Sequence, residues 1–142
     1  DVMSRDVATA SAAMPLEEAW ALLLRHRVKA LPVIDGERRV RGILTQTDFI
    51  RNADWRGGLR LRLRRLFGLV RLPATVADLM TSPARSVGLE ESVAAVVPAL
   101  TDPGLHHVPV VDADGRLAGI LTQSDVIAAL FQVDLRRAAL AG

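Results

Sequence analysis

Two apolar stripes at helical spacing predict two amphipathic helices. The first stripe follows Pro15, a residue suited to the first turn of a helix, and the second is ended by Pro103 and Gly104. The stripes consist of Leu16, Ala19, Trp20 and Leu23, and of Val93, Val96, Val97 and Leu100. Both are predicted to lie in the core.

A strand, a turn, a second strand and a last helix are predicted after each of these helices. In the first half, the first strand covers residues 30–34, the turn covers Asp35-Gly36, the second strand ends at Leu44 and the last helix begins at Gln46. In the second half, the first strand covers residues 108–111, the turn covers Asp112 to Gly115, the second strand ends at Leu121 and the last helix begins at Gln123. With a further strand before the first helix, each half has the order β-α-β-β-α. The fold class is therefore α/β with a small sheet.

The two halves of the chain repeat each other without a gap at an offset of 77 residues, so that Asp1 meets Asp78. The longest matching block pairs residues 42–50, Gly-Ile-Leu-Thr-Gln-Thr-Asp-Phe-Ile, with residues 119–127, Gly-Ile-Leu-Thr-Gln-Ser-Asp-Val-Ile. A unit of about 50 residues buries little surface by itself. The pair of copies is therefore predicted to be the folding unit.

Composition narrows the classes of protein to consider. The chain has 142 residues, no cysteine and a first residue, Asp1, that is not Met. Without cysteine there are no disulfides, no thiolate catalysis and no Cys-ligated zinc. No apolar run reaches the roughly 18 residues of a membrane helix, and no secretory signal is present. We expect a soluble piece excised or processed from a longer protein.

The positive charge is concentrated between Arg51 and Arg71, where seven arginines face a single acid, Asp54. Interleaved leucines predict a connector helix whose leucines pack on the module while its arginines are solvated. An alternative is an amphipathic segment that lies on an anionic membrane or faces a partner. Nucleic acid is not expected, because aromatic residues that stack on bases are scarce.

The repeated Thr-x-x-Asp motif, Thr45 with Asp48 and Thr122 with Asp125, stands where a strand passes into a helix. One interpretation is a capping box, in which each side chain accepts a hydrogen bond from the other residue's backbone amide. The other is a phosphate site at a helix N-terminus. The two interpretations are compatible, and the spacing alone leaves both open.

These residues resemble the cystathionine-beta-synthase (CBS) domain family, whose members occur as pairs called Bateman modules. The resemblance rests on the Leu/Val-Pro-Val-Ile/Val-Asp strands and on the two Gly-Ile-Leu-Thr-Gln-Thr/Ser-Asp blocks. It implies two CBS domains, packed with pseudo-two-fold symmetry into one module. The implied division is CBS domain 1 at 1–50, a basic and partly helical linker at 51–75, CBS domain 2 at 76–132 and a tail at 133–142.

More narrowly, residues 26–33, 104–110 and 122–125 are similar to the C-terminal CBS pair of bacterial HPP-family integral membrane proteins. That similarity implies a membrane domain before Asp1 in the same chain. The chain is then expected to be the cytosolic domain of such a membrane protein.

The family resemblance also implies roles for single residues. Thr45 and Thr122 hydrogen-bond a phosphate, and Asp48 and Asp125 accept hydrogen bonds from ribose hydroxyls. The two copies themselves differ after the motif. Arg51 follows the first motif closely enough to reach a phosphate, whereas Ala128 holds the matching place in the second. If only one site binds a polyphosphate, we expect it to be the first. The adenine slot is implied to be lined by Thr9, Ala10, Ala30, Leu31, Pro32, Ser86, Val87, His107, Val108 and Pro109, although any one of these also suits ordinary β-core.

The function implied is an allosteric sensor that binds AMP, ADP, ATP or S-adenosylmethionine between the repeats and controls an attached domain, such as a membrane transporter. The alternative is a structural module without ligand, associating through its CBS helices into a homodimer. No catalytic residue is predicted, because no Ser/His/Asp signature or Walker glycines are present. No metal site is predicted either, since the adjacent His106 and His107 point to opposite faces of a strand.

Overall fold

The computed structural model describes residues 7–52, 63–64, 66–68, 73–90, 106–129 and 131. These residues fall into two compact units. The first-repeat unit comprises Ala8–Glu37 and the described residues of Arg41–Pro83. The second-repeat unit comprises Val7, Arg38–Val40 and the described residues after Pro83. Helices and strands are present in both, which confirms the α/β fold class.

In the first-repeat unit the chain forms a small sheet and three helices. Strands β1 and β2 are hydrogen-bonded neighbours, and Ala10 adds a single parallel bridge to Val33 on β1. The elements are α1 (Leu16–His26), β1 (Ala30–Ile34), β2 (Val40–Thr45), α2 (Gln46–Arg51) and α3 (Val76–Leu79). The strand predicted before α1 is therefore only a bridge here, because a single residue pairs with β1.

Helix α1 follows from its sequence. Acidic residues occupy its first turn and basic residues its last turn, as the helix dipole favours. Its C-cap residue is Arg27, which adopts the left-handed conformation with φ 53°. Pro15 is the N-cap residue and not part of the first turn as predicted. The buried face consists of Leu16, Ala19 and Leu23, which confirms the predicted stripe.

Trp20, the remaining residue of the stripe, is half-buried. Its ring meets that of Phe49 edge to face, with 5.0 Å between ring centroids. Such an aromatic pair adds about 0.5–1.5 kcal/mol beyond the burial of area. The contact fixes α1 against α2, and so positions the start of α2 beside the sheet.

The second-repeat unit contains a sheet in the order β3-β4-β5. Strand β3 (Val87–Gly88) is parallel to β4 (His107–Val111), which is antiparallel to β5 (Leu117–Thr122). A helix, α4, occupies residues 123–129. The predicted helix carrying Val93, Val96, Val97 and Leu100, and its end at Pro103 and Gly104, lie outside the described residues.

The segment that opens the second sequence repeat belongs to the first-repeat unit. Leu16 N donates to Ala74 O at 3.1 Å, and Val76 N donates to Met14 O at 2.9 Å. Further along, Ile43 and Thr81 exchange two backbone hydrogen bonds of 3.1 and 2.9 Å. The sequence repeat and the compact units are therefore different divisions of the chain.

The described part of the basic linker is exposed. The accessible fractions are 46% for Leu63, 80% for Leu66 and 73% for Phe67. The prediction that the linker leucines pack on the module is therefore wrong for Leu63 and Leu66. Within the described part of the chain, no helix has the length and hydropathy needed to cross a membrane.

Candidate functional site

The junction between β2 and α2 is a capping box. Asp48 N donates to Thr45 Oγ1 at 3.2 Å, and Thr45 N donates to Asp48 Oδ2 at 2.8 Å. Thr45 has an extended backbone, with φ −118° and ψ 162°. For this reason β2 continues through Thr45, one residue beyond its predicted end at Leu44. The capping interpretation of this motif is confirmed.

The junction between β5 and α4 has the same geometry. Thr122 N donates to Asp125 Oδ2 at 3.0 Å, and Asp125 N donates to Thr122 Oγ1 at 3.2 Å. All four side chains of the two boxes are half-buried. The repeat in the sequence is thus a repeat in structure down to single hydrogen bonds.

A third box, which the sequence analysis missed, precedes α3. Asp78 Oδ2 accepts hydrogen bonds from Ala74 N at 2.9 Å, Thr75 N at 3.0 Å and Thr75 Oγ1 at 3.3 Å. The signal was present as Thr-Val-Ala-Asp, a threonine with an acid three residues later. Capping contacts account for the motif at this box, so the motif by itself indicates a helix start.

The capping bonds leave little of a bare helix N-terminus for a phosphate. At α2, the amides of Thr45 and Asp48 are used within the box, and Gln46 N donates to Lys29 O at 2.9 Å. Among the described residues, Thr47 N has no partner. A phosphate held here must therefore be bound mainly by side chains.

Two side-chain atoms of each box are available for that purpose. Thr45 Oγ1 accepts a hydrogen bond in the box, so its hydroxyl hydrogen is free to donate. Asp48 uses Oδ2, and the structure shows no partner for its Oδ1 among the described residues. The same holds at Thr122 and Asp125. Capping and ligand binding therefore use different atoms of the same two residues.

In the first-repeat unit, the candidate residues lie on three adjacent segments. Ala10 N donates to Pro32 O at 3.0 Å, and Ile34 N donates to Ala10 O at 2.9 Å, which places residues 9–10 along β1. The bond from Gln46 N to Lys29 O holds the start of α2 next to the start of β1. We call the set the first half-site: Thr9, Ala10, Ala30, Leu31, Pro32, Thr45, Asp48 and Arg51.

The second-repeat unit repeats this arrangement. Val87 pairs with Val110 on β4, and His107 lies directly opposite Thr122 on β5. Gln123 N donates to His106 O at 3.4 Å, as Gln46 does to Lys29. We call this set the second half-site: Ser86, Val87, His107, Val108, Pro109, Thr122 and Asp125.

Burial limits what the strand residues can do. Leu31, Pro32, Val108 and Pro109 have fully buried side chains. Those side chains are core, as the alternative interpretation allowed, so these residues have only backbone atoms to offer a ligand. Among the described residues, no group of three or more His, Asp and Glu side chains is suited to hold a metal ion.

The two half-sites differ in charge at the end of the helix. Arg51 is exposed at the last position of α2, three residues after Asp48 and hence on the same helical face. The equivalent residue of α4 is Ala128. The first half-site therefore carries a guanidinium group that the second lacks.

An open cleft of about 770 Å³ lies beside the first half-site in the first-repeat unit. Thr9 and Ala10 contribute to its lining, but Thr45 and Asp48 do not. The other residues that line the cleft are Ser11, Ala12, Ala13, Met14, Ile34, Asp35, Gly36, Arg41, Met80 and Ser82. The cleft therefore shares only Thr9 and Ala10 with the first half-site.

Comparison with solved structures finds CBS pairs. The crystal structure of CBSX2 from Arabidopsis thaliana in complex with AMP has a TM-score of 0.79 and 27% identity, and the match covers 94% of this chain and 96% of that one. The CBS domain pair of protein MJ0100 in complex with 5'-methylthioadenosine and S-adenosyl-L-methionine has a TM-score of 0.71 and 25% identity, covering 94% of both chains. The CBS domain of a membrane protein from Sphaerobacter thermophilus has a TM-score of 0.67 and 26% identity, covering 90% and 84%.

Sequence relatives and a family model complete the comparison. The chain spans 12%, 22% and 63% of the length of the first three curated relatives that it matches. The family model for the CBS domain matches residues 1–54 and again residues 76–132. These matches extend over most of the chain and coincide with the sequence repeat, so this chain belongs to the CBS domain family, as a tandem pair of CBS domains.

Proposed function

We propose that this chain is a regulatory module that binds an adenine nucleotide and has no catalytic role of its own. The observation that carries the proposal is the repeated half-site, in which a hydroxyl hydrogen and a carboxylate oxygen remain available after the helix is capped. Support also comes from the relatives CBSX2, solved with AMP, and MJ0100, solved with two adenosine derivatives.

Each half-site supplies the chemistry that a nucleoside phosphate requires. The threonine hydroxyl, at Thr45 or Thr122, donates to a phosphate oxygen. The second carboxylate oxygen, at Asp48 or Asp125, accepts from a ribose hydroxyl. Backbone edges of the adjoining segments bind the adenine ring: Thr9, Ala10, Ala30, Leu31, Pro32, Ser86, Val87, His107, Val108 and Pro109.

Charge distinguishes the ligands that the half-sites prefer. With Arg51 near the phosphates, the first half-site is suited to ADP or ATP, because guanidinium groups pair strongly with phosphate oxygens. The second half-site, with Ala128 in that place, is suited to AMP or to S-adenosylmethionine, because neither ligand carries a polyphosphate chain. We therefore expect unequal affinities at the two half-sites.

Regulation requires that the ligand bind more tightly to one arrangement of the attached protein than to another. A membrane domain of the same chain, as in HPP-family proteins, is the attached domain that we propose, with this module in the cytosol. The similarity to a CBS domain of a membrane protein supports that context.

The test separates ligand binding from helix capping with one substitution. In Asp48→Asn, the side-chain carbonyl still accepts from Thr45 N, but an amide donor replaces the free acceptor oxygen. We expect nucleotide affinity at the first half-site to fall by about 10- to 100-fold, the cost of a lost hydrogen bond to a charged group. Asp125→Asn makes the same change at the second half-site.

Asp78→Asn is the matched control, because it changes the carboxylate of the third capping box in the same way. Isothermal titration calorimetry with AMP, ADP, ATP and S-adenosylmethionine measures affinity and stoichiometry for each variant. A thermal shift assay supports it, since ligand at 100 times its dissociation constant adds about 2.7 kcal/mol. If none of the four binds the wild type, or if Asp48→Asn and Asp125→Asn bind like Asp78→Asn, the proposal is wrong.

A structural homodimer is the second candidate function. Ile50 on α2 and Ile127 on α4 occupy equivalent positions of the repeats, and their accessible fractions are 72% and 53%. Large apolar side chains at matching places on two helices are typical of a protein interface. In this alternative the helices after each capping box associate with a second copy of the chain.

A further inference from the structure

Two arginines lie directly opposite each other in the second-repeat unit. Arg39 and Arg116 form an isolated antiparallel bridge. The flanking hydrogen bonds run from Leu117 N to Arg38 O at 2.8 Å and from Val40 N to Gly115 O at 3.2 Å. In this pattern the paired residues are not themselves hydrogen-bonded, their Cα atoms approach to about 4.5 Å, and their side chains lie on the same face.

This arrangement is unfavourable by itself. Like charges directly opposite each other on neighbouring strands destabilise the pairing. Both arginines are exposed, and the preceding residue, Arg38, has a positive φ of 63°, which is strained for a residue other than glycine. The two arginines also occupy the same position in the two sequence repeats, since 39 plus 77 is 116.

Within the described residues, neither of the two acidic residues nearest in the sequence, Asp112 and Asp114, pairs with the Arg116 side chain. Asp112 Oδ1 accepts hydrogen bonds from the backbone amides of Asp114 and Arg116, at 2.9 and 3.0 Å, and so stabilises the turn. Among the described residues, the guanidinium of Arg116 has no ion-pair or hydrogen-bond partner. Arg39 does have an interaction partner, and the argument therefore depends chiefly on Arg116.

We propose that Arg39 and Arg116 together bind a small anion that carries phosphate groups, with pyrophosphate as its simplest form. Two guanidinium forks on one face match the several oxygens of such an anion, and the anion converts their repulsion into two charge-assisted contacts. The phosphates belong either to a free inorganic anion or to a nucleotide.

This anion site is separate from the proposed nucleotide site. Arg116 directly precedes β5, and Thr122 ends that strand six residues later. An extended strand of that length spans about 20 Å. The anion site and the capping box of the second half-site therefore lie at opposite ends of β5.

Pyrophosphate titration by calorimetry, at constant ionic strength in a chloride buffer, tests the proposal on the full chain. We expect Arg116→Gln to weaken pyrophosphate binding at least about tenfold, because it removes a charge-assisted contact. Arg39→Gln is the second variant and should weaken binding in the same direction. Arg25→Gln, at an exposed arginine of α1 in the other unit, is the control and should bind like the wild type.

The arms of the experiment also identify the source of the phosphate and separate the two proposals. If Arg116→Gln weakens the binding of ADP as well as that of pyrophosphate, the site is assigned to a nucleotide. If it weakens only the binding of pyrophosphate, the site is assigned to a free anion. Equal binding by wild type and Arg116→Gln overturns the proposal, as does a wild type that binds no pyrophosphate. A third outcome also overturns the proposal: Thr45→Ala loses pyrophosphate binding while Arg116→Gln keeps it. That result places the anion at the first half-site.

Discussion

Gly42 is the position where a single added methyl group should test the packing of the first-repeat unit. A Cβ atom at Gly42 would lie 2.7 Å from Thr81 O and 3.0 Å from Met80 Sδ. The first contact is with backbone and is shorter than Cβ atoms tolerate, so the segment around Thr81 must move. That segment is held by its two hydrogen bonds to Ile43, of 3.1 and 2.9 Å.

The expected cost of Gly42→Ala follows from these contacts. Overpacking of a buried site costs about 1–3 kcal/mol, and each weakened backbone hydrogen bond adds up to about 1 kcal/mol. Alanine lowers the conformational entropy of the unfolded chain, which offsets about 0.4–1 kcal/mol of this loss in the free energy of unfolding. We expect a net loss of about 2–3 kcal/mol in the free energy of unfolding.

Urea unfolding followed by circular dichroism measures this loss, with Gly36→Ala as the matched control. Gly36 lies in the turn between β1 and β2, and no atom lies within 4 Å of its added Cβ. We expect Gly36→Ala to change stability by less than about 0.5 kcal/mol or to raise it slightly. Should Gly42→Ala prove as stable as Gly36→Ala, the close approach of Thr81 to β2 would be refuted.

Two further predictions concern the core and the exposed helices. Leu31→Ala should lower the free energy of unfolding by about 2–5 kcal/mol, because Leu31 is fully buried. In the same urea assay, the control Leu24→Ala, at an exposed position of α1, should change it by less than about 0.5 kcal/mol. If the chain is a dimer through its short helices, Ile50→Ser should shift it toward the monomer in sedimentation velocity without loss of folded signal. A monomeric wild type, or an unchanged dimer fraction in Ile50→Ser, would contradict that candidate function.

Elements with a local signal were predicted well from the sequence. Strand β1 was placed correctly because an apolar run is bounded by turn residues, Asp35 and Gly36. Helix α2 was placed correctly because Thr45 and Asp48 define its first turn. In both cases the chemistry that ends or begins the element is carried by adjacent residues, so a single sequence is sufficient to read it.

Features that depend on distant residues were not predicted. The assignment of Val76 and Thr81 to the first-repeat unit rests on backbone hydrogen bonds to Met14 and Ile43, for which no sequence pattern is specific. The predicted packing of the linker leucines was wrong for a related reason. Alternating arginine and leucine indicate an amphipathic segment, but they do not indicate whether a surface exists to cover Leu66.

The candidate site shows the same limit at the level of single atoms. Three Thr-x-x-Asp sequences in this chain form capping contacts, and capping alone accounts for their spacing. The boxes at Thr45 and Thr122 differ from the box at Thr75 because each follows a strand whose neighbours present backbone edges. Their aspartates are also half-buried, whereas Asp78 is exposed. The information about a ligand is therefore held not in the motif but in the oxygen of Asp48 and the hydroxyl hydrogen of Thr45 that capping leaves unused. A substitution that keeps the cap and changes only that oxygen is for this reason more informative than the removal of the side chain, since alanine would abolish both functions at once.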